Sequence, residues 1–181
     1  MDWKTLSSKY LSRHIYFTAR EDRCEMPDGR IVDPYFVVEL PTSVCALAVT
    51  QNNEVILLQQ YRHPLKETLL EIPGGFVDHG EASDKAIARE LLEETGYEFT
   101  ALYFVGRVAA NPGVLDNYTD LYLATGGVKT ANQQLDHGEE IELKLYPVEA
   151  VREKLLKNEF KQALHATCLF YAFSKFDSLK K

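Results

Sequence analysis

The sequence has little cysteine, no excess of positive charge and no long apolar run. Cys24, Cys45 and Cys168 are an odd number of thiols at no metal-ligand or redox spacing. That excludes a disulfide framework and points to a reducing, cytoplasmic compartment. The formal net charge of −7 argues against nucleic acid or an anionic membrane as partner, because both recruit Lys and Arg in excess. An anionic ligand would have to be held by local arginines or by metal ions. No stretch approaches the roughly 18 apolar residues of a membrane span, and MDWKTLSSKYLSRH at the start has no signal-peptide core. Repeats and low-complexity segments are also missing. What remains is a chain of 181 residues that is 45% apolar, enough for one globular domain with a small appendage.

Punctuation divides the chain. Residues 13 to 23 alternate loosely and end before the turn Pro27, Asp28, Gly29, after which RIVDPYFVVEL resumes a strand pattern. This predicts a small N-terminal β segment over 1–40, with the main domain over 41–181. SVCALAVT and EVILLQQYR, parted by Gln51, Asn52 and Asn53, read as core strands joined by a hairpin turn. LLEIPGGF is a short strand closed by proline and glycine, and a helix follows from about Ala82 to Thr95 with Gly96 as its stop. LYFVGRVA, TDLYLATGGV and IELKLYPVE read as strands, VEAVREKLLKNEF and KQALHATCLFYAFSKF as helices. The interleaving predicts an α/β sandwich with helices over a mixed sheet.

The helix at 82–95 is crowded. Placed at 100° intervals, Ile87, Leu91, Ala88 and Leu92 share an apolar arc, and Glu90, Glu93 and Glu94 share an acidic one. A solvated face is the ordinary fate of such glutamates. Here, however, like charges at i, i+3 and i+4 cost a few tenths of a kcal/mol per pair, and Pro73, Gly74 and Gly75 bring backbone carbonyls nearby. Hard oxygen donors gathered this way suit Mg²⁺ or Mn²⁺ and make a poor zinc site. The five histidines show no zinc-ligand spacing and read as surface or loop residues.

Gly75, Glu81, Arg89, Glu90, Leu91, Glu93, Glu94 and Gly96 stand at the spacings of the Nudix box, and the chain resembles the Nudix hydrolases on that ground. Residues of roughly 5 to 8% frequency match so many fixed positions by chance on the order of once in 10⁸ starting points or fewer. Tyr97 stands where a smaller aliphatic residue is usual. QQYRHP at 59–64, LEIPGG at 70–75 and Pro112, sixteen residues beyond Gly96, are similar to the subgroup that hydrolyses ADP-ribose and other nucleoside diphosphate sugars. The resemblance implies the α/β/α Nudix sandwich preceded by a small β domain that exchanges across a homodimer.

It also implies a chemistry and its residues. A pyrophosphate linkage repels hydroxide, so its hydrolysis needs divalent cations, Mg²⁺ or Mn²⁺. Glu90 and Glu94 are the expected metal ligands, with Glu93 as a third and the Gly74 carbonyl completing the set. Arg89 would orient a glutamate by an ion pair, and Glu81 either starts the helix or serves the metal. The general base stays open among Glu139, Glu140 and the loop 111–120, where Asn117 stands at a place often held by glutamate. Arg62 is the expected phosphate donor. Tyr16, Phe17 and Tyr35 are candidates for base stacking, and Pro112 and Asn117 lie on the candidate substrate loop. ADP-ribose is the first expected substrate and GDP-mannose the second. The alternatives are housecleaning of nucleoside triphosphates and a nucleotide-binding module that does not cut.

Overall fold

The structure, a computed structural model, describes residues 1–14 and 17–180. Contacts divide the chain into two compact units, the first Met1–Pro41 with Ala109–Tyr118 and the second Thr42–Val108 with Thr119–Lys181.

The first unit is an antiparallel meander of β1 (Lys4–Ser12), β2 (Thr18–Glu25) and β3 (Ile31–Glu39). It includes a strand, β1, that the sequence reading did not anticipate, and β2 begins at Thr18 rather than at residue 13. The unit also claims the segment 109–118, which lies far along the chain. Val38 N donates to Val114 O at 2.8 Å, Asp116 N to Val38 O at 3.2 Å and Tyr35 Oη to Gly113 O at 3.0 Å. Arg20 gathers the acids around this junction, pairing Asp22 at 3.1 Å, Glu39 and, at 3.8 Å, Asp116. Backbone groups that an isolated loop would leave to water are thus satisfied by β3.

The second unit is an eight-stranded mixed sheet with helices on both faces. β4 (Ser43–Thr50) lies at its centre between β5 (Glu54–Arg62), antiparallel, and β10 (Thr119–Lys129), parallel. β6 (Glu67–Glu71) and β11 (Ile141–Pro147) pair with β5; β7 (Gly74–Phe76) pairs with β4; β8 (Tyr97–Glu98) and β9 (Ala101–Val108) pair with β10. The near-continuous apolar runs of β4 and β10 follow from burial on both faces. Alternate residues serve the two sides. Val44, Ala46, Leu58 and Tyr122 pack with Ile87 and Leu91 of α1 (Ser83–Thr95). Leu47, Leu57, Leu121 and Leu123 pack with α2 (Val148–Leu156) and α3 (Ala163–Ser178). The expected α/β/α sandwich is this unit. Among the described residues, no helix is long and apolar enough to cross a membrane.

Two differences bear on the site. The glycines after Pro73 do not merely close a strand; they form β7, with Gly74 opposite Cys45. Additionally, His165 is not a surface residue: it is 7% exposed. It precedes Cys168, Leu169 and Ala172 at i+3, i+4 and i+7 on the buried face of α3, and such a stripe carries whatever residue occupies it inward.

Candidate active site

α1 is fixed at both ends. In its first turn Ser83 Oγ donates to Asp120 Oδ2 at 2.5 Å, and Arg107 grips the same buried carboxylate through Nε at 2.5 Å and Nη2 at 2.8 Å. At its end Gly96 takes φ 74°, the left-handed turn that glycine adopts without steric cost. The following segment satisfies the last carbonyls. Gln133 Nε2 donates to Glu94 O at 2.7 Å and Gln134 N to Glu93 O at 2.8 Å.

The glutamates of this helix are not equivalent. Glu94 does not lie on the acidic arc but on the buried face with Ile87, Leu91 and Thr95, while Ala88 is exposed. Helix geometry puts it there, since Glu94 follows Ile87 by seven residues and lies about 20° from it around the axis, and Gly74 N donates to Glu94 Oε2 at 2.8 Å, which gives a buried carboxyl a fixed partner. Burial pushes the Glu94 carboxyl up to about 8, and the charges of Glu90 and Glu139 push in the same direction against the pull of Gly74 N–H and Arg62. Glu90 is also raised, because burial outweighs the Arg89 ion pair. Its carboxyl lies so close to Gly75 that a Cβ there would come within 3.0 Å of it. Glu93 is the most exposed of the three, with its side chain 41% accessible.

Arg89 holds the cluster together. Nε and Nη2 clasp Glu81 at 3.1 and 3.0 Å, Nη1 bonds Glu90 at 2.8 Å and Glu93 at 3.0 Å, and Nη2 also donates to Phe76 O at 3.0 Å. All the N–H directions of the guanidinium are used, which no ammonium could match. Glu81, whose carboxyl Arg89 lowers, also accepts from Asp78 N at 3.1 Å; both contacts make it an orienting group at the helix start. Arg89→Lys should therefore keep the charge and lose the fork, lowering metal affinity and turnover by about 10 to 100-fold. Magnesium titration followed by activity checks this, with helix content by circular dichroism as the folding control.

The other candidates are distributed unevenly. Glu139 accepts from Asp136 N at 3.1 Å, and its charge reaches Glu90, Glu94 and Arg62. Glu140, by contrast, lines an open pocket of about 820 Å³ with Thr95, Lys129, Gln133 and Leu143. Arg62 is clamped on Glu71, Nε to Oε1 at 2.8 Å and Nη2 to Oε2 at 2.5 Å, and feels Glu94 and Glu139. Phe17, Tyr35, Pro112 and Asn117 all belong to the first unit. There Phe17 is 53% exposed, and Tyr35 meets Trp3 edge-on at 6.0 Å. Pro112 is exposed, and Asn117 Nδ2 bonds Pro41 O at 2.9 Å. Tyr16 lies outside the described residues. Sequence reasoning missed Glu71, although one signal was there: an acid inside the apolar run LLEIP.

Among the described residues no three His, Cys, Asp or Glu side chains stand in metal-ligating geometry; Arg89 holds Glu90 and Glu93, and Gly74 N–H holds Glu94. The donor set nonetheless fits a hard dication. It is all oxygen, and it includes two carboxyls, Glu90 and Glu94, whose ionised forms are penalised by burial and by neighbouring carboxylates, Glu93 and Glu139 acting on Glu90, and Glu90 and Glu139 on Glu94, a penalty that a bound cation reverses.

The matches with known proteins agree with this arrangement. Residues 39–167 match the NUDIX domain, and residues 3–38 match the nucleoside diphosphate sugar hydrolase N-terminal domain. An ADP-ribose pyrophosphatase of Mycobacterium tuberculosis is 32% identical over 161 residues, 87% of this chain and 77% of that protein. An ADP-ribose pyrophosphatase of Bacillus subtilis is 32% identical over 147 residues, 77% and 78% of the two chains. The methanol dehydrogenase activator of Bacillus methanolicus is 33% identical over 141 residues, 77% and 76%. A solved structure described as an ADP compounds hydrolase superposes with a TM-score of 0.86 over 99% of this chain and 96% of that one; at 20% identity it speaks for the fold. The chain belongs to the Nudix hydrolase family.

Proposed function

We propose that this enzyme hydrolyses the pyrophosphate bond of nucleoside diphosphate sugars in a Mg²⁺-dependent reaction, giving a nucleoside monophosphate and a sugar phosphate, with ADP-ribose the preferred substrate and GDP-mannose the second. The observation that carries the reading is the cluster of Glu90, Glu93 and Glu94 around Arg89 and against Gly74 and Gly75. Glu90 and Glu94 would hold the ion, with Glu93 and the Gly74 carbonyl as further donors; Mn²⁺ has the same preference for oxygen. When bound, the ion neutralises the diphosphate and acidifies the attacking water. Arg89 keeps the carboxylates oriented, and Arg62 offers its guanidinium to the phosphates. Glu139 is favoured over Glu140 as the general base, because its charge reaches Glu90 and Glu94.

The aromatic residues Phe17 and Tyr35, with Pro112 and Asn117, are assigned to substrate recognition by the N-terminal unit. Trp3, Leu11, Phe17 and Phe36 are exposed there, which supports pairing with a second copy of the chain in a homodimer. Three free, buried cysteines support a reducing, cytoplasmic setting.

The test is a panel of ADP-ribose, GDP-mannose, other nucleoside diphosphate sugars and nucleoside triphosphates, each with Mg²⁺ or with EDTA, resolved by chromatography. Metal-dependent release of AMP from ADP-ribose is expected. Release of pyrophosphate from triphosphates alone would replace this reading with housecleaning, and no turnover of any compound would leave a binding module.

A further inference from the structure

Beyond the carboxylate cluster, the second unit holds a buried acid that the chemistry above does not use, Glu71, paired with the half-exposed Arg62. Glu71 is 2% exposed and stands opposite Leu58 in the β5/β6 register; Arg62, four residues along β5 from Leu58, emerges on the same side. The two side chains make a two-point contact, Nε to Oε1 at 2.8 Å and Nη2 to Oε2 at 2.5 Å. That grip uses one edge of the guanidinium and leaves Nη1 outside it. A planar group held at two points cannot rotate, so the direction of its remaining donors is set by Glu71. Arg62 also feels the charges of Glu94 and Glu139, so the candidate metal cluster is within its electrostatic reach.

Behind Glu71 lies His165. Its Nδ1 is buried, has no hydrogen-bond partner among the described residues, and sits 3.8 Å from Glu71 Oε2. That is too long for a hydrogen bond yet within a small side-chain adjustment of one. Burial lowers the His165 imidazole to about 4, so it is neutral near pH 7, and as the Nδ1–H tautomer it would be a donor facing a carboxylate. Buried polar groups are ordinarily paired, and Glu71 is the acceptor in reach.

We propose that Glu71 is a positioning residue for Arg62 in phosphate binding, and that His165 is the buried donor that steadies Glu71. The proposal rests on the reading of the site as a pyrophosphate hydrolase and adds to it two residues outside the Nudix box.

The experiment is a double-mutant cycle on Arg62→Ala and Glu71→Gln, read as KM and kcat for ADP-ribose and, independently of turnover, as the Kd of ADP with Mg²⁺ by calorimetry. Thermal melting of each variant serves as folding control. Glu71→Gln is expected to raise KM and Kd about 5 to 10-fold with kcat within about twofold, and to add nothing in the Arg62→Ala background, because coupled neighbours are non-additive. His165→Asn, which keeps a donor near the Nδ1 position, should lose less affinity than His165→Leu. Additive losses in the double variant would overturn the proposal, as would a Glu71→Gln protein with a lower melting temperature and unchanged Kd. Wild-type protein that binds ADP but turns over none of the panel would reject the hydrolase reading while the cycle on Kd still decides this one; wild-type protein that binds no ADP would reject both.

Discussion

Glu94→Gln is expected to abolish turnover while leaving the fold intact and, in metal-free buffer at pH 8, more stable than wild type. The loss should exceed the roughly 10 to 100-fold typical of residues that only orient a ligand, because Glu94 is assigned to the metal itself. The stability effect has the opposite sign to an ordinary loss of a buried contact. Glu94 has an unperturbed value of 4.5 and is pushed to about 8 in the fold. Between those values the folded protein holds a proton on Glu94 that the unfolded chain has released, so the contribution of this group to stability falls as pH rises across that window. The slope is up to about 1.4 kcal/mol per pH unit. Glutamine still accepts from Gly74 N and carries no charge, so the variant lacks this contribution while sharing the others, His165 among them, and the difference between the two proteins should be near zero at pH 4.5 and below and widen up to about pH 8. Urea unfolding at several pH values with EDTA measures this, and parallel slopes for the two proteins would refute it. Saturating Mg²⁺ should flatten the wild-type slope and leave the variant unchanged, since a ligand stabilises only the state that binds it.

The box was legible because its chemistry is local. Thirteen residues of α1 carry Arg89, Glu90, Glu93 and Glu94 at spacings that one helix imposes, and the glycines lie only one strand away. Spacing also held which glutamate turns inward, since Glu94 follows Ile87 by seven residues and lies about 20° from it around the helix. Grouping by charge set Glu94 with Glu90 and Glu93, whereas burial groups it with Leu91 and Thr95; what spacing could not show is its partner, Gly74 N, on another element. The same limit hid Glu71 and His165. Each is a polar residue in an otherwise apolar pattern, and what it faces depends on residues nine positions away for one and roughly a hundred for the other.

Long-range return of the chain also explains the segment 109–118. Read in order, NPGVLDNYTD is a loop between two strands of the main sheet. In the fold, its backbone bonds go to Val38 and its side chains bond the backbone of Leu40 and Pro41, and it belongs with the N-terminal meander. Asp116 then has a structural task, accepting from Leu40 N at 3.2 Å and facing Arg20 at 3.8 Å. Asn117 has one too, on Pro41 O. A loop whose polar side chains are committed in this way is held in one conformation, which does not suit a mobile donor of a base. Glu139, on a segment whose charge reaches the cluster, is therefore the stronger candidate for the proton transfer.

Gly74→Ala and Gly75→Ala, adjacent in sequence and identical in chemistry, are expected to fail in different ways. Beyond Gly74 the space is filled by backbone: an added Cβ would meet Val44 O and the Cα and Cβ of Cys45 inside 3.0 Å. Those atoms belong to the central strand β4, between β5 and β10, and cannot move without disturbing the sheet. Gly74→Ala should therefore cost stability, about 1 to 3 kcal/mol or more as overpacking does, and lose activity as a consequence. Beyond Gly75 the obstacle is the carboxyl of Glu90, the far end of a flexible side chain. It can swing away at little conformational cost, leaving the sheet intact but the ligand displaced from its place beside Arg89. A shift of about 1 Å in a positioned group is worth on the order of 10²-fold in rate. Gly75→Ala is thus expected to melt within a few degrees of wild type and lose about 100-fold in kcat, with higher Mg²⁺ needed for half-maximal rate. Thermal melts beside a metal titration of activity separate the two cases. A Gly75→Ala enzyme with normal metal dependence would show that Glu90 does not work from the place it occupies against that glycine.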